Sequence, residues 1–156
     1  MKRTLLRVMF SLFVCCQGYS QHAQAAATNP VDPAIITQLT GTWTNQLRST
    51  LTITKIDPTT GQISGNYTTP SAGSTQYPLI GWVNTQPPST NHPDNAVVIS
   101  FSVRWGDIGS VAAWNGIYTT NNKQSTITGQ WLLSRPNSDF SWDHVLVGQD
   151  QFHRVQ

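Results

Sequence analysis

From Leu39 to Arg154 the side chains alternate between apolar and polar with period two, in short runs broken by turn-forming residues. Nothing else in the sequence narrows the fold as much. Successive side chains of a strand point to opposite faces, so an alternating run has one face to bury and one to leave in water. Eight such runs are read, at residues 41–47, 50–56, 61–69, 77–84, 96–105, 112–119, 125–133 and 145–154. Asp57-Pro58-Thr59-Thr60-Gly61 and Thr120-Asn121-Asn122-Lys123 have the composition of hairpin loops. Residues 86–95, rich in Pro, Asn and Ser, form the longest polar connection. All seven acidic residues are Asp, and Thr, Ser, Asn, Gly and Trp abound where helix formers would be needed. The expectation is an all-β domain, an eight-stranded antiparallel up-and-down β-barrel over residues 39–155, whose closure removes the exposed edges of an open sheet. Residues 26–38, with Pro30 and Pro33, read as an extended N-terminal arm without a core role.

The first 25 residues read as a secretory signal peptide. Lys2, Arg3 and Arg7 precede an apolar run from Val8 to Cys16 that is too short to span a bilayer. Small residues follow, and cleavage is expected after Ala25 or as late as Ala27. Neither Cys15 nor Cys16 follows the small residue that a lipoprotein site requires. A secreted or periplasmic location is therefore expected. Both cysteines leave with the signal, so stability must come from packing, closure or association rather than from a disulfide. Three of the nine Lys and Arg leave too, so six face seven Asp and the net charge becomes −1 (six minus seven). Such a sparsely charged surface argues against nucleic acid or an anionic membrane as partner.

Strand parity assigns the lumen. Trp43, Asn45 and Leu47 share a face in the first run, and Ile63, Gly65, Tyr67 and Thr69 in the third. Phe101, Val103 and Trp105 do so in the fifth, and Ala112, Trp114, Gly116 and Tyr118 in the sixth. Gly129, Trp131 and Leu133 follow in the seventh, and Leu146, Gly148, Asp150 and Phe152 in the eighth. Trp82, Arg48 and Arg104 take the outward parity. Asn45 and Asp150 are out of place in an inert core, because a buried amide or carboxylate is costly unless paired. Either they form a polar network tying strands together, or they face a cavity and await a polar ligand. Several tryptophans on the same face favour the cavity, since a barrel packed shut would use smaller aliphatic fillers. Apolar walls with a few placed polar groups are the usual make-up of a ligand site.

A series of short motifs resembles the avidin/streptavidin family. Leu39-Thr40-Gly41-Thr42-Trp43-Thr44-Asn45-Gln46-Leu47-Arg48-Ser49-Thr50 is similar to its opening motif. Gly65-Asn66-Tyr67, Tyr77-Pro78-Leu79-Ile80-Gly81 and Trp114-Asn115-Gly116 resemble its middle strands. Gln130-Trp131-Leu132-Leu133 and the stretch from Trp142 through Gly148-Gln149-Asp150-Gln151-Phe152 resemble its ending. The resemblance implies a barrel that binds biotin non-covalently and does no chemistry on it, with biotin a bound ligand and not a covalent cofactor. By the same resemblance Asn45, Ser49 and Tyr67 would donate to the ureido oxygen, while Asp150 and Thr69 would accept from the ureido N–H groups. Opposed donors and acceptors across one planar group polarise each other, and a carboxylate makes the stronger bond. Trp105, Trp114 and Trp131 would wall the ring and tail, with Leu47 and Leu133. Ser110 and the backbone of Ser71, Ala72 and Gly73 would meet the tail carboxylate. Trp142 would close the site of a neighbouring subunit in a homotetramer, because the chain has this Trp and no cysteine pair after the signal.

Departures from the family matter too. Ala112 stands where relatives carry a Thr hydroxyl near the biotin sulfur, at a cost of about 1 kcal/mol at most, the scale of one net hydrogen bond. The lid between Tyr67 and Tyr77 is shorter than in streptavidin. Three other functions compete on the sequence. A lipocalin-like binder of another small ligand fits the tryptophans but not the polar set Asn45, Ser49, Tyr67 and Asp150. A hydrolytic set of Ser110, His144 and Asp150 lacks the Gly-rich surroundings of a nucleophile elbow. A structural subunit with vestigial binding is the third. His92, His144 and His153 lack the spacing of metal ligands and read as surface or interface residues.

Overall fold

The computed structural model describes residues 30–84, 96–121 and 124–156. The expected signal peptide and the expected polar connection at residues 86–95 lie outside them. Eight strands close into one barrel in chain order: β1 (Gly41–Asn45), β2 (Thr50–Ile56), β3 (Gln62–Thr68), β4 (Tyr77–Val83), β5 (Val97–Trp105), β6 (Ser110–Asn121), β7 (Gln124–Ser134) and β8 (Val145–Arg154). Every neighbouring pair is antiparallel, and β8 returns to β1 through Trp43↔Arg154, Thr44↔His153 and Asn45↔Phe152. The expected barrel is the one found. β6 runs on to Asn121 and β7 starts at Gln124, so Thr120 and Asn121 of the hairpin loop expected at Thr120–Lys123 belong to the ladder, and Asn122 and Lys123 lie outside the described residues.

The alternating faces sort as parity demands. β4 is the cleanest case: Tyr77, Leu79, Gly81 and Val83 are buried, while Pro78, Ile80 and Trp82 are exposed. Trp43, Leu51, Ile63, Val103 and Phe152 are buried in the core without measurable exposure. Where strands cross closest, only glycine fits. A Cβ on Gly65 would stand 1.9 Å from the Thr52 carbonyl oxygen.

Two expectations need correction. The arm at residues 26–38 is not extended over its length: Pro33–Leu39 forms helix α1. Asp32 caps it by accepting from the Ala34 N–H at 2.8 Å, and Pro33 occupies the first turn, where a missing N–H costs nothing. Ile35 and Leu39, four apart, fall on one helix face and are buried, as is Val31 just before it. The arm thus has a core role. It closes the barrel end that carries the Asp57–Gly61 turn, with Val31 N–H donating to the Pro58 carbonyl at 2.7 Å. Trp43 Nε1 donates to the Leu39 carbonyl at 3.0 Å, and Arg154 donates to the carbonyls of Gln38 and Thr40 while lying 5.4 Å from the Trp43 ring.

The second correction concerns Leu47. β1 ends at Asn45, and Leu47 sits in a turn with 62% of its surface exposed rather than on the lumen face of a strand. The cause is Asn45, whose side-chain oxygen takes the backbone N–H groups of Leu47 and Ser49 at 3.0 and 2.8 Å. That Asx-type turn leaves the ladder before parity reaches Leu47.

Candidate ligand-binding site

The end of the barrel opposite α1 is open. It is ringed by the turn after β1, the short 3-10 segment Pro70–Ala72, the β5–β6 turn and the long loop from Arg135 to His144. Beneath them lies a cavity of about 370 Å³, within the range of roughly 300–1,000 Å³ usual for small-ligand pockets. Its polar floor is built by β1 and β8. The turn at residues 46–49 pins the Asn45 amide oxygen, which turns its nitrogen towards Asp150 at 3.0 Å from Oδ1. Trp114 Nε1 donates to Asp150 Oδ2 at 2.9 Å, and Gln46 Nε2 to Oδ1 at 3.2 Å. Asp150 is 3% exposed, and its cost of burial is offset by these three donors.

The hydroxyls form a second row. Ser49 donates to Thr69 Oγ1 at 3.0 Å, and Thr69 and Ser71 share a bond at 3.0 Å. Tyr67 is buried, and that burial pushes its phenol up to about 12, with the Asp150 carboxylate adding in the same sense and a Ser49 hydrogen bond opposing. The Tyr67 hydroxyl is therefore a proton donor throughout the physiological range. Aromatic rings wall the rest. Phe101 and Trp114 stack at 4.9 Å, Tyr67 lies 5.0 Å from Trp114, and Tyr67 and Tyr77 meet the Trp105 ring edge-on at 5.6 and 4.8 Å. Trp105 Nε1 is buried with no partner among the described residues. Gly148 makes room for the last wall: a Cβ there would stand 2.2 Å from Trp131 Cζ2.

Most residues singled out in the sequence meet here. Asn45, Leu47, Ser49, Tyr67, Thr69, Ser71, Ala72, Trp105, Ser110, Ala112, Trp114, Trp131, Leu133 and Asp150 line the one cavity. Gly73 does not; it ends the 3-10 turn at φ 66° and is exposed. Trp142 also stays outside its own barrel's cavity, 77% exposed and stacked on Phe140 at 4.8 Å. Ile108, Arg135 and Gln46 were not anticipated; the first two line the cavity and Gln46 bonds Asp150. Arg135 carried a readable signal, since it extends the inward series Gly129, Trp131, Leu133 by one more step of two. Gln46 had none, because its parity is outward and only the turn brings it round. Of the set Ser110, His144 and Asp150, Asp150 bonds Asn45, Gln46 and Trp114, and His144 Nδ1 lies 2.9 Å from the Arg135 carbonyl.

Comparison with known proteins agrees with this architecture. A family model described as "Avidin family" matches residues 33–155. The chain is 30% identical over 124 residues to avidin-related protein 4/5 of Gallus gallus, covering 75% of this chain and 77% of that protein. On the barrel, the family match and this relative together, the chain belongs to the avidin family.

Proposed function

We propose that this protein binds biotin non-covalently in the barrel lumen, without catalysis, as a secreted or periplasmic homotetramer with one site per chain. The observation that carries the reading is the buried Asp150 carboxylate, held among tryptophans and facing a donor row of Asn45, Ser49 and Tyr67 in the same cavity. A ureido group presents one strong acceptor and two donors on a rigid plane. Asn45 has its oxygen and one N–H committed, which leaves the second N–H for a ligand oxygen. The Tyr67 hydroxyl is protonated, and the Ser49 hydroxyl turns freely between Thr69 and a ligand. Asp150 and Thr69 then accept from the two ureido N–H groups. An aliphatic ligand of the lipocalin type would leave these groups desolvated and unpaired, at about 1–3 kcal/mol each.

Oligomerisation is supported by the outer face. Trp82, Val111, Leu132, Val145 and Val147 are exposed there, and Leu132 and Val147 are register partners across β7 and β8. A concavity of about 810 Å³ on the same outer face runs from Ile80 to Gln149 across β4–β8. Apolar surface of this extent on a weakly charged protein favours self-association. Calorimetric titration of the chain lacking residues 1–25 with biotin, beside native mass spectrometry, tests both parts. Tight binding at one biotin per chain in a four-chain assembly is expected. A folded protein that takes up no biotin would return the cavity to another ligand.

A further inference from the structure

We propose that Arg135 selects ligands with an anionic tail, acting at the rim of the cavity as the counterpart of Asp150 at its floor. The inference rests on the biotin reading and adds a specificity determinant to it.

Arg135 follows Ser134, the last residue of β7, and keeps the inward parity of Trp131 and Leu133. It is accordingly half-buried, while Ser134 and Pro136 on either side are exposed. The register places it beside Ser110: Val111 pairs with Ser134, so the next step brings Ser110 opposite Arg135. The same neighbourhood is confirmed from the other side of the turn, where a Cβ on Gly109 would stand 3.2 Å from Pro136 Cγ. Among the residues lining the cavity, Asp150 and Arg135 are the only ones with charged side chains. They mark its two ends. A guest whose head offers donors to a carboxylate and whose tail carries a negative charge matches that polarity; a guest with a neutral tail matches half of it.

Arg135 has donors to spare. Its Nε donates to the Asp143 carbonyl at 2.9 Å and its Nη2 is ion-paired to the Asp143 carboxylate. A guanidinium carries five N–H groups in a planar fork, so three remain for a second anion. Asp143 holds the cation at the rim, with 33% of the Arg135 side chain still exposed. The backbone fixes the base of this loop independently, through Arg135 N–H to the His144 carbonyl at 2.9 Å. Removing the guanidinium therefore takes away the charge and both side-chain bonds to Asp143 but leaves the backbone tie at the base of the loop.

The test compares biotin with biotin methyl ester, which keeps the head and neutralises the tail, on the unaltered protein, Arg135→Gln and Asp143→Asn. The unaltered protein should prefer biotin. Arg135→Gln should lose roughly three- to tenfold of that preference, the scale of a partly exposed ion pair, and any loosening of the rim loop should weaken biotin and ester alike and leave the ratio to report the charge. Asp143→Asn frees the guanidinium from its competitor and should keep or raise the preference. The association rate of biotin, and not of the ester, should fall with added salt. An Arg135→Gln protein that discriminates as the unaltered one does would overturn the proposal. So would a salt response shared equally by both ligands, a measurement that needs no variant. Failure of the unaltered protein to bind either ligand would instead overturn the biotin reading and take this inference with it.

Discussion

At the residue scale the site turns on Asp150 and Tyr67. Asp150 holds three N–H donors within the lumen, so its removal leaves Asn45, Gln46 and Trp114 without their shared acceptor. Asp150→Ala is expected to weaken biotin by about 2–5 kcal/mol, the usual cost of truncating one partner of a buried charged bond. Titration calorimetry with near-unchanged affinity would separate Asp150 from the ligand. Tyr67 makes a pH prediction. Its phenol is raised from an ordinary value of 10.0 to about 12 in the fold. The unfolded chain thus ionises first, and the stabilising difference is complete below pH 10 and lost as pH rises to about 12. In full it amounts to roughly 2–3 kcal/mol for a two-unit displacement. Denaturant melts at pH 8 and pH 11 should show the loss, and Tyr67→Phe should flatten it; an equal slope in that variant would assign the loss elsewhere. Parity put both residues on the lumen face, and Asp150 stood out there because a carboxylate on an aromatic face has few reasons to be there, whereas the role of Tyr67 came from the family resemblance. Leu47 was misread for a local reason. Asn45 competes with the ladder for backbone N–H groups, and alternation says nothing about where a side chain will do so.

At the scale of elements, the strands were readable and the helix was not. Period-two alternation survives wherever one face meets a core, which is why β2 and β8 match their expected limits. α1 is seven residues long, with only two buried positions one turn apart. That is too little repeat to register as a helical period, and Pro30 and Pro33 of the arm point to extended chain unless Pro33 is placed at the first helical turn. The helix owes its existence to the barrel it plugs, through Leu39 beneath Trp43 and the Arg154 clamp on its final carbonyls. Leu39 is fully buried, so Leu39→Ala should cost about 2–5 kcal/mol of stability. Its distance from the open end gives the prediction its edge. Thermal or denaturant melts should show the loss, while biotin affinity of the folded fraction stays within a factor of two or so, since uniform binding contacts lie at the far end. A parallel fall in affinity would mean that α1 shapes the floor of the cavity as well as its lower seal.

For the whole molecule, the site as one chain builds it is walled on its sides and floor and open above, and Trp142, expected to close a neighbouring subunit's site, does not line its own chain's cavity. Trp142 stands 77% exposed on a loop whose base is tied by Arg135 to Asp143 and His144. Stacking on Phe140 stiffens the pair without burying it. A large aromatic held out in water is costly for a monomer and useful to an assembly. The outer apolar face would supply the means of the proposed assembly, and its chemistry is separable from that of the lumen because alternate residues of the same strands serve the two. Val147 and Leu132 face out, whereas Gly148, Leu133 and Trp131 face in. Replacing both Val147 and Leu132 with Glu should therefore leave the fold intact, the positions being exposed in the single chain, and reduce the assembly below four chains in sedimentation or native mass spectrometry. The release rate of biotin then distinguishes whose site Trp142 covers. If it covers a neighbour's, dispersing the chains removes it from every site, and release should quicken as much as in Trp142→Ala. The two changes combined should add little to either alone, because each abolishes the same contact. Dispersed chains that release biotin as slowly as the assembly, with Trp142→Ala still fast, would show that the loop folds back over its own barrel when ligand is present.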